Sequence, residues 1–131
     1  MIRAARTLLL AALLTLTLIS GAVRWRQQTQ FSAAELGALN NNFMVALTGY
    51  ESAIRMYTPL SSLAERAAER LWAMGLTAEQ NGDIERALIA YRSLRSAWYG
   101  VRWLSQPGTV WISRCDKKLA ALTPLRKGTE P

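Results

Sequence analysis

Residues 68–98 read AERLWAMGLTAEQNGDIERALIAYRSLRSAW, and the spacing of their apolar side chains decides the fold class. Leu71, Met74 and Ala78, with Leu63 and Ala67 ahead of them, recur at steps of three and four. That period places them on one face of an α-helix. The pattern breaks at Asn81-Gly82-Asp83 and resumes at Ile84, Ala87, Leu88, Tyr91, Leu94 and Trp98. Gly82 suits the left-handed position that ends a helix. Asp83 is an N-cap for the next one, and Glu85 in its first turn complements the helix dipole. The stretch predicts two helices joined by a tight turn.

Working outward, Ser62-Leu63-Ala64-Glu65 reads as a capping box at the start of the first of these helices. Ser32-Ala33-Ala34-Glu35 reads as another. From it Leu36, Leu39, Phe43, Leu47, Tyr50, Ile54 and Tyr57 form one stripe, interrupted by Gly37, Asn40-Asn41-Asn42 and Gly49, so irregularity is expected near the asparagines. Pro59 ends or redirects that helix. Downstream, the helix through Trp98 is expected to run on to about Leu104, and Gln106-Pro107-Gly108 is a turn. A last helix capped by Thr109 carries Trp111, Ile112, Cys115, Leu119 and Leu122 on one face. Pro124 is expected to stop it and to leave 124–131 as a disordered tail. No segment beyond residue 31 shows strand alternation. The expectation is an all-α domain of about four helices over residues 32–123.

Ahead of that domain, Thr7–Val23 is a run of 17 uncharged residues, TLLLAALLTLTLISGAV. As a helix it spans about 25 Å, at the short end of what crosses a bilayer. Residues 1–6 form a basic flank with Arg3 and Arg6, and 24–31 a polar linker. Arg24 and Arg26 can snorkel outward, and Trp25 sits where an interfacial aromatic belongs. The reading is a single transmembrane anchor. The rival is a cleaved secretory signal, with Ser20-Gly21-Ala22 as the small-residue cleavage site. Arg24 and Arg26 directly after that site oppose export. The amine, Arg3 and Arg6 on one side outweigh Arg24 and Arg26 on the other by one charge. The positive-inside rule then places the domain outside the cytoplasm, in a periplasmic setting.

The 131-residue chain carries a net charge of +7, unevenly spread. Residues 31–91 are net −3 and residues 92–131 net +6. Such a dipolar domain suits an acidic partner, a phospholipid surface or self-association through opposite poles. There is no His and one Cys, Cys115. An intrachain disulfide is excluded, and the commonest general base and metal ligand are missing. Glu65 and Glu69 stand four apart beside Arg66 and Arg70, as in surface ion pairing. With no Gly-rich phosphate loop or acidic metal cluster, no catalytic, cofactor or metal site is assigned, and the chain is read as non-enzymatic.

The helix pair over 68–98 resembles a tetratricopeptide repeat. Met74 and Gly75 stand where that family has Leu-Gly, Ala78 takes its next packing position, and Gly82-Asp83 matches its turn. Ala87, Tyr91 and Leu94 match its small, aromatic and small-or-aliphatic positions. Leu71 occupies the usual Trp position, and Tyr99 the closing Pro position. Tyr50–Pro59 is similar to the second helix of a preceding repeat, at a spacing about seven residues longer than the family's. Arg92–Tyr99 also resembles small anchored bacterial envelope proteins of unassigned function. The repeat resemblance implies binding of peptides or protein partners. One and a half repeats are fewer than the roughly three that usually stand alone, so the first and last helices, self-association or a larger complex would complete them.

Arg92, Arg95, Tyr99 and Arg102 recur at steps of three and four, a stripe of guanidiniums able to pair with carboxylates or phosphates. Trp98, Trp103 and Trp111 crowd one helix connection, with Trp103 nearest the surface. Trp98 and Trp111 read as core joining two helices, whereas Arg92, Arg95, Tyr99, Arg102 and Trp103 are the candidate partner face, set against a solvated helix surface as the plainer reading. A membrane anchor argues against nucleic acid. The sequence thus points to a membrane-tethered adaptor or accessory subunit that binds protein. The alternatives are a structural subunit of an envelope complex and an exported helical protein freed by signal cleavage.

Overall fold

The apolar run and the residues after it contain no proline and only Gly21 and Gly37 as weak helix formers, so nothing in the backbone stops a helix before the asparagines. In the computed structural model, which describes residues 1–127, α1 is accordingly one helix of 38 residues, Ile2–Leu39. It is followed by α2 (Phe43–Arg55), α3 (Leu63–Gln80), α4 (Ile84–Gly100) and α5 (Thr109–Lys127). There is no strand among the described residues. The most apolar 18-residue window of α1 has a mean hydropathy of 1.8, and none of it is buried. That helix is long and apolar enough to cross a membrane.

Residues 24–31 are therefore not a linker. Gln27, Phe31, Ala34 and Gly37 form the buried face of α1, and the polar residues between them face solvent on the same helix. Ser32 lies in mid-helix and caps nothing. Leu36 and Leu39, expected in the core, are exposed because the chain turns at Asn40–Asn42 and the apolar stripe changes face. The capping box at Ser62 does not form either. Its backbone is already helical (φ −79°, ψ −7°), which points the hydroxyl away from the first turn. The Ser61 hydroxyl accepts from the Leu63 N–H instead, at 3.3 Å.

Two helical hairpins follow from two turns of the same chemistry. After α1, the Asn42 N–H donates to the Gly37 carbonyl and the Asn41 N–H to that of Ala38. After α3, Asp83 and Gly82 donate to Ala78 and Glu79 in the same way. Both are Schellman endings, with Asn41 (φ 55°) and Gly82 (φ 73°) in the left-handed position. The next helix is then capped by a side chain: Asn42 accepts from the Val45 N–H and Asp83 from the Arg86 N–H. Thus the C-terminal half of α1 pairs with α2, and α3 with α4.

The hairpins stack through α2 against α3 and α4, and α5 covers the far side of α4. Trp98, Tyr50, Tyr91, Ile54, Leu71, Leu88 and Leu94 are the largest side chains of the core. Small residues permit the crossings. A Cβ on Gly49 would fall 2.7 Å from that of Ala34, and one on Gly75 would fall 2.5 Å from the Tyr91 ring. Two helix ends differ from the sequence reading. α4 stops at Gly100, where the Gln106 side chain donates to the Trp98 carbonyl and folds the next segment back. α5 passes through Pro124 to Lys127. One backbone donor is lost there, but Thr123 bonds to the Leu119 carbonyl and Arg126 pairs with Glu85 at 2.6 Å, holding the last turn. The rest of the expected tail, 128–131, lies outside the described residues.

Two outcomes check this architecture. Hydrogen exchange should find the amides of residues 24–31 protected to the same degree as those of α2, where a linker would exchange at once. Gly75→Ala should cost about 1–3 kcal/mol in urea unfolding, because the added methyl must displace the Tyr91 ring from a filled core.

Candidate functional site

Each hairpin carries the same polar clamp. The Tyr50 hydroxyl of α2 donates to Glu35 of α1 at 2.6 Å, and Arg70 of α3 pairs with that carboxylate at 2.9 Å. The Tyr91 hydroxyl of α4 donates to Glu79 of α3, and Lys118 of α5 pairs with Glu79 at 2.8 Å. A tyrosine from the second helix, a glutamate from the first and a cation from the next layer thus tie three helices twice over. Burial and the bond to a carboxylate push both phenols above their ordinary range. Burial works against the Glu79 charge, but hydrogen bonds from Lys118 and Tyr91 outweigh it and lower its pKa. The clamps are structural, and their partners lie on different helices where sequence spacing cannot reveal them.

Between the two hairpins, at the end marked by the asparagine-rich turns, is a groove of about 760 Å³. Leu39, Phe43, Ala46, Met74 and Ala78 supply its apolar surface, and the Glu35–Arg70 pair forms one wall. Arg86 stands at the rim, its guanidinium 5.3 Å from the centroid of the Phe43 ring and 3.4 Å from the Asp83 carboxylate. Leu39 is 78% exposed although it adjoins this cleft. The groove thus offers apolar contact framed by charges of both signs.

The residues singled out by the repeat resemblance are brought together. Gly75, Ala78, Ala87, Tyr91 and Leu94 are buried where α3 meets α4; Gly82 and Asp83 make the turn; Met74 is half-buried and faces the groove. The basic stripe is not assembled as expected. α4 ends before Arg102, so that guanidinium leaves the helix face. Arg95 is occupied: it pairs with Asp116 at 2.5 Å, which raises its pKa, and lies 4.8 Å from the Tyr99 ring centroid. Arg92 is exposed, Tyr99 partly so, and Trp103 is 84% exposed. Trp98 is wholly buried, and Trp111 is buried with its indole N–H donating to Glu65 at 2.7 Å. Arg3, Arg6, Arg24, Trp25 and Arg26 are all exposed on α1.

Cys115 is fully buried, and burial pushes its thiol up to about 12, so it is a packing residue without thiolate character. Among the described residues no group of His, Cys, Asp or Glu side chains is arranged to hold a metal ion. The sequence placed Leu39 and Phe43 on a core stripe and Arg70 in a surface ion-pair pattern, and assigned none of these, nor Arg86, to a site. The available signal was the likeness of Asn40-Asn41-Asn42 to Asn81-Gly82-Asp83, which makes residues 27–55 a hairpin equivalent to 63–100. Comparison with protein-family models, curated proteins and solved structures finds no match to this chain.

Because the pKa of Glu79 is lowered in the folded state, its clamp contributes stability above the ordinary carboxylate value of 4.5. That contribution is lost as pH falls through the lowered value. Glu79→Gln should therefore be less stable than the wild type at neutral pH, with the gap closing below pH 4.5 in denaturant titrations run across pH.

Proposed function

We propose that the chain is a non-catalytic, membrane-tethered adaptor, its N-terminal helix serving as a single-pass anchor and its tetratricopeptide-like hairpins binding a segment of a partner protein. The observation that carries this reading is the groove between the two hairpins. It joins the apolar surface of Leu39, Phe43 and Met74 to the charged groups of Arg70, Arg86 and Asp83. A segment with an apolar side chain flanked by polar groups matches both features. The repeated turn and the repeated Tyr–Glu–cation clamp support the repeat resemblance on physical grounds, since equivalent hairpins stacked in one direction leave such a cleft. The positive-inside margin assigns the domain to the extracytoplasmic side.

The second reading is a structural subunit of an envelope complex, in which the groove receives a neighbouring or identical chain permanently. The exposed Leu39 at the groove favours an apolar contact there.

Site-specific photo-crosslinking in intact cells separates these readings. A crosslinker at Thr77, an exposed residue of the groove, should give an adduct with a different protein, mapped by mass spectrometry. One at Arg92, outside the groove, should not. An adduct of the chain with itself at Thr77 would favour the structural subunit. Equal yields from both positions would overturn the groove as the binding surface.

A further inference from the structure

The alternation of the helices sorts the loops by end. Arg24 donates to the Leu60 carbonyl at 3.4 Å, and Gln27, fully buried, donates to the Ala53 carbonyl at 2.9 Å while accepting from Ser61 at 2.8 Å. These bonds fix the α2–α3 loop beside the point where the apolar half of α1 leaves the domain. The α4–α5 loop is at the same end. The Tyr57 and Trp98 rings meet edge to face at 5.7 Å, and the Trp111–Glu65 bond sets the start of α5 beside the first turn of α3.

The side chains projecting from this end are unusually apolar for a surface. Leu60 is 88% exposed, Trp103 84%, Leu104 85% and Trp25 77%. Arg24, Arg26 and Arg102 are exposed beside them in sequence, and Arg24 and Arg102 make no ion pair among the described residues. Aromatic and aliphatic tips among arginines are the composition that settles at a bilayer interface, with the rings at headgroup depth and the guanidiniums on phosphates. A partner protein would also cover apolar tips. The continuity of α1 decides for lipid, because the helix passes from the apolar run into the domain without a hinge and holds this end at the level where that run stops.

We infer that this end of the domain rests on an anionic phospholipid surface, with Trp25, Leu60, Trp103 and Leu104 at headgroup depth and Arg24, Arg26 and Arg102 on lipid phosphates. The inference rests on α1 crossing the membrane. It gives the domain a second membrane contact beside the anchor, which fixes its tilt. The groove then opens at the far end, about 24 Å further along the α1 axis.

The test uses the full chain reconstituted in vesicles of phosphatidylcholine with or without phosphatidylglycerol. An environment-sensitive fluorophore is attached in turn through Trp103→Cys, Leu104→Cys, Thr77→Cys and Leu14→Cys. All four positions are on the surface, and buried Cys115 stays unlabelled. Labels at 103 and 104 are expected to shift to the blue and to be quenched by headgroup-level spin-labelled lipid, more strongly in the anionic vesicles. The label at 77 should remain aqueous. If 103 and 104 behave like 77 while 14 is buried in lipid, the seating is overturned and the anchor stands. If 14 is aqueous as well, the spanning helix itself is wrong and the seating falls with it. Equal quenching in both lipid mixtures would overturn the pairing with anionic headgroups.

Discussion

The packing of α2 on the C-terminal half of α1 is the constraint on which the rest depends. Gln27, Phe31, Ala34 and Gly37 make a helix that is exposed and apolar over its first half into the first wall of a core over its second. Gly49 lets α2 approach Ala34 closely, and Phe31 meets the Tyr50 ring edge to face at 5.6 Å. Without this contact α1 would be an appendage, and the remaining helices would lack the layer that completes the first hairpin. Gln27 shows how exact the fit is: a buried amide there is tolerated because both ends of it are bonded.

Stacking then propagates by repetition. Each hairpin buries a tyrosine whose hydroxyl needs an acceptor, and each supplies a glutamate that in turn needs a cation. Arg70 and Lys118 come from the next layer in each case. A polar requirement unmet inside one hairpin is thus met by its neighbour, which joins the layers in a fixed register. The last helix, α5, performs this role for the second hairpin and buries Trp111, Ile112 and Cys115 against it. This is how two stacked hairpins close their own core. The sequence reading had offered the first and last helices as one means of closure, beside self-association and a larger complex.

Much of the second hairpin was legible in the residues. The stripe from Leu63 to Ala78, the turn at Gly82 and the cap at Asp83 are local signals, each set by backbone geometry within a few residues. The first hairpin was half-hidden. The polar run after Val23 has the composition of a connector, and only burial of one side of it makes it part of a core helix. Ser32 and Ser62 carry the capping pattern without the capping role, because the pattern states what a helix start can use and not where the chain turns.

Residue order alone determined that the chain is helical, where an uncharged segment long enough to cross a bilayer lies, that the lone thiol cannot form an internal disulfide, and where the sharp turn of the second hairpin falls. These follow from period, charge and the φ preference of glycine, all local properties. Tertiary structure decided that the apolar run and the domain share one helix, that Arg95 is engaged by Asp116, that Arg102 leaves the helical face, and that a groove lies between the hairpins. Those depend on which distant surfaces bury one another, and a contact between residues tens of positions apart leaves no periodic mark in the sequence.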